Sequence, residues 1–342
     1  MNVCFVNQDM SLGGSATVVH DLILNWPNGN DKLFLICFFD NFDERYKDLN
    51  KIENLKIIKL HKQKVVDFKF LKLLKKTLDQ LKPDVISSHL TTTFYLKIVG
   101  AHKKCTIYHT IHSEPSKDLP FIYRLVLKSS IRRGKIKLIG VCNYISEKAT
   151  ILYKANCITI RNELNIDVKK TIKHSTVNFL FIGRLVRLKN VDKIILAFDE
   201  ISNLNTMLTI VGYGEQEEEI KKLCQNNKNI NFVGKANDVG LYLASSDVLC
   251  LISDREGFPI TVLEGLKYGL AFIVSDVGGI SEVVKNNENG ILIKDISVEN
   301  IKKAMEAMLS NNLLEKYKAK SKSMSLLFDP KKMAFEYSRV FK

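Results

Sequence analysis

No two of the seven cysteines stand at C-x-x-C spacing, and no run of eighteen apolar residues occurs in the 342-residue chain. The thiols, Cys4, Cys37, Cys105, Cys142, Cys157, Cys224 and Cys250, are odd in number and lie mostly inside apolar runs. That pattern argues against a disulfide framework and for a reduced, cytosolic setting. The missing apolar run excludes a membrane-spanning helix. The opening MNVCFVNQD enters a short strand directly, without the basic start and long apolar core of a secretory leader, so none is expected. Repeats and disorder-prone segments are lacking too. With 46% hydrophobic and 26% charged residues the composition is that of an ordinary globular protein, and its length exceeds what one hydrophobic core supports, so two domains are expected.

Acidic residues are in short supply, and unevenly so. The formal net charge is +14. Residues 1–170 hold 28 Lys/Arg against 16 Asp/Glu, a balance of +12, while residues 171–342 hold 23 against 21, only +2. A basic first half favours an anionic partner. Nucleic acid is not expected, because neither interleaved aromatic platforms nor a reader motif accompanies the charge. The stretch from Lys62 to Lys82 reads instead as an amphipathic helix, with Leu71, Leu74, Leu78 and Leu81 on one face and Lys69, Lys72, Lys75 and Lys76 around it. A second basic stretch runs from Arg124 to Lys137. Both fit a crossover helix with a solvated face, and both fit docking on anionic lipid.

Short strand-like runs alternate with helical patterns: Val3–Val6, Leu33–Phe38, Val85–Ser87, Thr106–Ile111 and Leu138–Val141, then, after Lys173, Val177–Ile182, Met207–Val211, Ile230–Val233, Val248–Ile252, Phe272–Val274 and Gly290–Ile293. Such alternation implies parallel sheets with crossover helices. The polar break at residues 163–176 separates an N-terminal Rossmann-like domain, 1–165, from a second, 177–325. The tail, 326–342, contains Asp329-Pro330, an N-cap with proline at the first helical position, and then Met333, Tyr337, Val340 and Phe341 at helical spacing. This helix is expected to return to the first domain.

Within the second half, the run Asp247–Ile252 reads as a strand buried on both faces. Just past it, Glu256 and Glu264 stand eight residues apart across a Gly257-Phe258-Pro259 turn that leads into a helix at Ile260. With eighteen glutamates, one such spacing arises about once by chance. Its position is what distinguishes it. Open α/β sheets bind ligands beyond the strand ends, and a helix start offers free N–H groups to an anion.

Several further phrases keep this one company: Leu12-Gly13-Gly14 after the first strand; His109-Thr110-Ile111-His112; Phe181 to Lys189 (FIGRLVRLK); Ile210 to Gly214 (IVGYG); Asn231 to Gly234; and Ser275 to Glu282 (SDVGGISE). In this order, over nearly the whole chain, they resemble the retaining, metal-independent GT-B glycosyltransferases of the large family 4 group, which includes bacterial polysaccharide and lipopolysaccharide enzymes. The resemblance implies an α/β GT-B fold, two Rossmann-like domains facing an interdomain cleft, and a nucleoside-diphosphate sugar, UDP-linked by frequency, as donor. It implies a glycan or lipid-linked acceptor at the inner face of the plasma membrane. No cofactor and no metal are expected, the nucleotide-sugar being a substrate.

Residue by residue, the resemblance puts Gly13, Gly14 and Gly183 near the donor. Arg184 and Lys189 would steady the charge that grows on the β-phosphate as the glycosidic bond breaks, more in the transition state than before. Glu256 would bind hydroxyls of the donor sugar and Glu264 those of the ribose, with Gly257, Phe258, Pro259, Ile260 and Thr261 lining the turn between them. His112 would approach the donor sugar; His109 is the runner-up, and His89 and His109 are candidates for the acceptor side. A zinc site from His109, His112 and Glu114 lacks the paired histidines on one helical face. One departure from the pattern is Asn190, where a glycine commonly follows the lysine. The competing reading from another class is a non-catalytic GT-B subunit serving as binding or chaperone partner of another transferase.

Overall fold

The computed structural model describes all residues except 12, 64–66, 167, 173, 203, 204 and 237. Leu12 of the glycine loop and residues 64–66, near the start of the Lys62–Lys82 stretch, therefore lie outside the described residues. The chain forms two compact units, Met1–Asn165 with Asp329–Lys342, and Ile166–Phe328.

In the first unit, seven parallel strands are ordered β3-β2-β1-β4-β5-β6-β7. They are β1 Asn2–Asn7, β2 Lys32–Cys37, β3 Leu55–Lys59, β4 Val85–His89, β5 Thr106–Ile111, β6 Ile136–Gly140 and β7 Cys157–Thr159. The central strands are buried almost throughout, as a sheet covered by crossover helices on both faces requires, and β4 and β5 carry buried Ser, Thr and His among their apolar residues. The terminal helix Pro330–Phe341, capped by the Asp329 carboxylate, belongs to this unit. Tyr108 donates to the Val340 carbonyl at 2.6 Å, and Thr110 shares a 3.1 Å hydrogen bond with Tyr337. The single tryptophan, Trp26, packs against Phe5 of β1 and Phe341, with ring centroids 5.4 and 5.8 Å away.

The basic stretch forms the helix Phe68–Leu81, held at its start by Asp67 accepting from the Phe70 N–H at 2.9 Å. Its buried face is Phe70, Leu74, Thr77 and Leu78 rather than the leucine row the spacing suggested; Leu71 and Leu81 are only half-buried. Phe70 packs on Tyr95 and Phe38, which pulls the helix round by part of a turn and leaves Phe68 78% exposed.

The second unit repeats the plan with six parallel strands, β8 Val177–Ile182, β9 Thr206–Val211, β10 Ile230–Gly234, β11 Val248–Leu251, β12 Ala271–Ser275 and β13 Gly290–Ile293, ordered β10-β9-β8-β11-β12-β13. In each sheet the order reverses once, between β1 and β4 and between β8 and β11. Those are the topological switch points beyond which this class of sheet leaves a crevice for ligands. Among the described residues no helix is long and apolar enough to cross a membrane.

Candidate functional site

At the second unit's switch point, Gly183, Arg184 and Lys189 follow β8, and residues 253–261 follow β11. Lys189 ends a single 3-10 turn, Arg187–Lys189, and its ammonium donates to Oε1 of Glu256. Ser253 Oγ donates to the same oxygen at 2.6 Å. The pair is sunk into the protein, with 13% and 11% of the two side chains exposed. Ser253 is itself locked across to β12: its N–H donates to Ser275 Oγ at 2.9 Å, and that hydroxyl donates to the Ser253 carbonyl at 2.7 Å. Two donors on one oxygen fix the carboxylate's rotation, a preorganisation suited to binding hydroxyls in set directions.

The backbone under Glu256 is fixed by close approach. Gly278, with φ +63°, lies so near that a Cβ would collide with the Glu256 carbonyl, and the next N–H, of Gly279, donates to the Gly257 carbonyl at 2.7 Å. Beneath Arg184 the same device recurs, for a Cβ on Gly212 would strike the Gly183 carbonyl. The Gly183 and Leu185 N–H groups donate to Val211 and Tyr213 at 3.1 and 2.9 Å, so the loop is stapled on both sides while Arg184 stays exposed. Phe258 is buried. The helix Ile260–Tyr268 follows Pro259 and has no side-chain cap; the Val262 N–H donates to the Pro259 carbonyl at 3.1 Å, which leaves the N–H groups of Ile260 and Thr261 for an anion, and Glu264 is half-buried on its second turn.

Asn190 takes the left-handed conformation a glycine would, φ 45° and ψ 40°. Asparagine tolerates it because its amide compensates: Nδ2 donates to Asp254 Oδ1 at 2.8 Å and to the Ile252 carbonyl at 3.4 Å. The departure from the family pattern thus keeps the backbone path and ties the β8 loop to the β11 loop.

In the first unit, Gly13 and Gly14 follow β1; among the described residues, its chain neighbours aside, no atom lies within 4 Å of where a Cβ on Gly13 would be, and the helix Gly14–Leu24 begins there without a side-chain cap. Alternation along β5 separates the histidines. Tyr108 and Thr110 face the terminal helix, so His109 faces the other way and is wholly buried, with Nδ1 2.7 Å from Thr93 Oγ1. Asp118 Oδ2 lies 3.2 Å from His109 Nε2 without hydrogen-bond alignment. His112, just past the strand, is half-buried; its backbone N–H donates to Asp118 Oδ1 at 3.1 Å and its ring Nε2 lies 2.8 Å from Nδ1 of His89. His89, the last residue of β4, is wholly buried, and its Nε2 is 3.1 Å from Ser87 Oγ. Burial drives the His112 imidazole down to about 4, reinforced by His109 and opposed by Asp118. Burial, then the neighbouring histidines, holds His89 well below the ordinary range as well. Both rings are neutral at neutral pH.

The chain thus brings Lys189 to Glu256 and His89 to His112, and it draws His109 into the interior. Glu114 is occupied by the Tyr144 hydroxyl at 3.1 Å. Among the described residues no three His, Cys, Asp or Glu side chains converge as a metal ion would require. Sequence reasoning missed Ser253, Ser87 and the role of Gly278. A serine in a loop carries no signal of its partner, whereas the Gly278-Gly279 pair next to a strand end was a usable sign of close backbone approach.

Comparison with known proteins bears on the family and the fold. The sequence profile of the glycosyl transferases group 1 matches residues 162–324, and that of glycosyltransferase family 4 matches residues 12–148. An uncharacterized glycosyltransferase of Haemophilus influenzae is 29% identical over 54% of this chain and 55% of its own length. An Escherichia coli UDP-Gal:alpha-D-GlcNAc-diphosphoundecaprenol alpha-1,3-galactosyltransferase is 27% identical over 73% and 72%. The chain spans about half the length of the first curated relatives it matches. The solved structure of Anabaena HepE with UDP and glucose superposes with a TM-score of 0.84 at 15% identity, covering 99% of both chains. With one profile on each parallel-sheet unit, the chain carries a glycosyltransferase family 4 domain followed by a glycosyl transferases group 1 domain, in the GT-B fold.

Proposed function

We propose that the protein transfers a sugar from a UDP-linked donor to a glycan or lipid-linked acceptor in surface polysaccharide synthesis, with retention of configuration and without a metal ion. The observation that carries this reading is the Lys189–Glu256–Ser253 cluster beside the uncapped start of helix Ile260–Tyr268. A diphosphate at that helix start meets N–H donors and, with Arg184 and Lys189 nearby on the β8 loop, fixed positive charge. Charge grows on the leaving phosphate as the sugar departs, so these cations act most strongly in the transition state. The departing phosphate oxygen takes the acceptor's proton on the same face, and Glu256 orients sugar hydroxyls rather than acting as a base. HepE binding UDP and glucose, and the E. coli relative named for a diphosphoundecaprenol acceptor, support the donor and acceptor classes. A lipid-linked acceptor in turn suits peripheral binding of the basic first unit to the inner face of the plasma membrane.

Incubating the purified protein with UDP-sugars and a lipid-linked acceptor in the presence of a chelator tests the reading. Transfer with retained anomeric configuration is expected, and Glu256→Ala is expected to lower turnover by about two orders of magnitude, the range of a lost electrostatic group, with the fold intact by circular dichroism. Strict dependence on a divalent cation, or full activity in that variant, would overturn it.

A further inference from the structure

The first unit holds a buried string of polar atoms that the proposed reaction leaves unused. Ser87 Oγ, His89 and His112 are joined end to end by contacts of 3.1 and 2.8 Å, and the two rings lie 5.1 Å apart at 34°. Ser87 and His89 have no exposed surface. Between His89 Nδ1 and His112 Nε2 there is room for one proton, and two arrangements can supply it.

In the first, His112 Nε2–H donates to His89 Nδ1, and His89 Nε2–H then donates to Ser87. The serine hydroxyl proton is left buried with no other acceptor among the described residues. In the second, Ser87 O–H donates to His89 Nε2, and His89 Nδ1–H donates to His112 Nε2. Every buried proton in the string then has an acceptor. A buried donor left unpaired costs about 1–3 kcal/mol, so the second arrangement prevails. It obliges His112 to carry its own proton on Nδ1, an atom without a partner among the described residues.

We infer that His89 is a positioning residue: with Ser87 it holds His112 in the Nδ1–H tautomer, so that His112 offers its ligand a neutral hydrogen-bond donor. The ligand chemistry this selects is an acceptor oxygen, of a sugar hydroxyl or a phosphate. That His89 affects sugar transfer rests on the proposed function; the tautomer does not.

The test is nitrogen-15 NMR of the imidazoles in the full-length, ligand-free protein, with the His112 signals assigned from their loss in His112→Gln. Nδ1 of His112 is expected to be protonated and Nε2 to be unprotonated near pH 7. Protonation on Nε2 overturns the inference. His89→Asn places an amide N–H where Nδ1 was and is expected to preserve the tautomer, whereas His89→Asp supplies only an acceptor and is expected to reverse it. If the unmodified protein transfers sugar, kcat is expected to fall at least tenfold in His89→Asp with donor KM little changed, and to be largely restored in His89→Asn. Equal kcat in the two variants overturns the positioning role. The spectrum of the unmodified protein decides the tautomer even if a variant fails to fold or no transfer is found.

Discussion

Asn190 shows how much of a site rests on one residue's backbone angles. Its left-handed conformation is cheap for glycine, tolerable for asparagine and costly for a β-branched side chain. Two substitutions separate the contributions. Asn190→Gly keeps the angles and loses the bonds to Asp254 and Ile252, and is expected to cost about 1 kcal/mol. Asn190→Val loses both and is expected to cost about 2–3 kcal/mol. Urea unfolding of the two variants checks the order; an Asn190→Val protein as stable as Asn190→Gly would dismiss the conformational term. Gly278 makes the parallel case for binding. A Cβ there must displace the Glu256 carbonyl, so Gly278→Ala is expected to fold yet lose the thermal shift that a UDP-sugar gives the unmodified protein. The acidic and basic residues of this site were legible because their chemistry shows in their letters. Ser253 and Ser87 were not, since each acts through a partner that only the fold brings near.

At the level of elements, every central strand was legible in the sequence, and the two strands that were not are the edges of the first sheet. β3, LKIIK, is half-exposed on the outside of the sheet, and β7 is a three-residue edge strand, so neither shows the continuous apolar run of a covered strand. The helix Phe68–Leu81 was found from its period but rotated, because its phase is set by the aromatic contact with Tyr95. The terminal helix has a titratable anchor. Glu163, only 5% exposed, accepts from the Asp329 N–H at the helix start, and burial raises its carboxyl to about 7 from an ordinary 4.5; that hydrogen bond and Lys332 pull the other way, while Glu336 and Asp329 add to the rise. A folded-state value above the unfolded one means that the folded form binds the proton more tightly. The stabilisation is therefore complete below about pH 4.5 and is lost as the pH rises through about 7, by roughly 1–3 kcal/mol. Glu163→Gln, which keeps an acceptor oxygen, is expected to flatten this dependence. Denaturation midpoints followed from pH 4.5 to 7.5 check it, and an unchanged slope in the variant would assign the effect elsewhere.

Across the whole molecule, charge is the property that composition made plain and fold class did not. The surplus of +12 in residues 1–170 falls in the unit that carries two partly apolar, basic helices, Phe68–Leu81 and Phe121–Arg132. They flank the helix Thr92–Ile98, through which they are linked: Phe70 packs on Tyr95 at 5.6 Å, and Tyr123 stacks on Phe94 at 3.7 Å. Their outward side chains include Phe68, Phe121, Ile122 and Leu125, all more than half exposed, beside Lys69, Lys72, Lys75 and Lys76. A solvated crossover helix explains the lysines but not four large apolar side chains held in water. The membrane docking proposed above would account for both, with the apolar groups in the headgroup boundary and the lysines against the surface potential of an anionic bilayer. Lysines near such a surface contribute about 1 kcal/mol each, so reversing Lys72, Lys75 and Lys76 to glutamate is expected to weaken binding by a hundredfold or more. Phe121→Ser with Ile122→Ser is expected to weaken it with little change in salt sensitivity, because that pair removes buried area and no charge. Flotation with vesicles of anionic and of neutral lipid, repeated at rising salt, distinguishes the two contributions. Binding that ignores both salt and lipid charge would leave the basic surplus without this role.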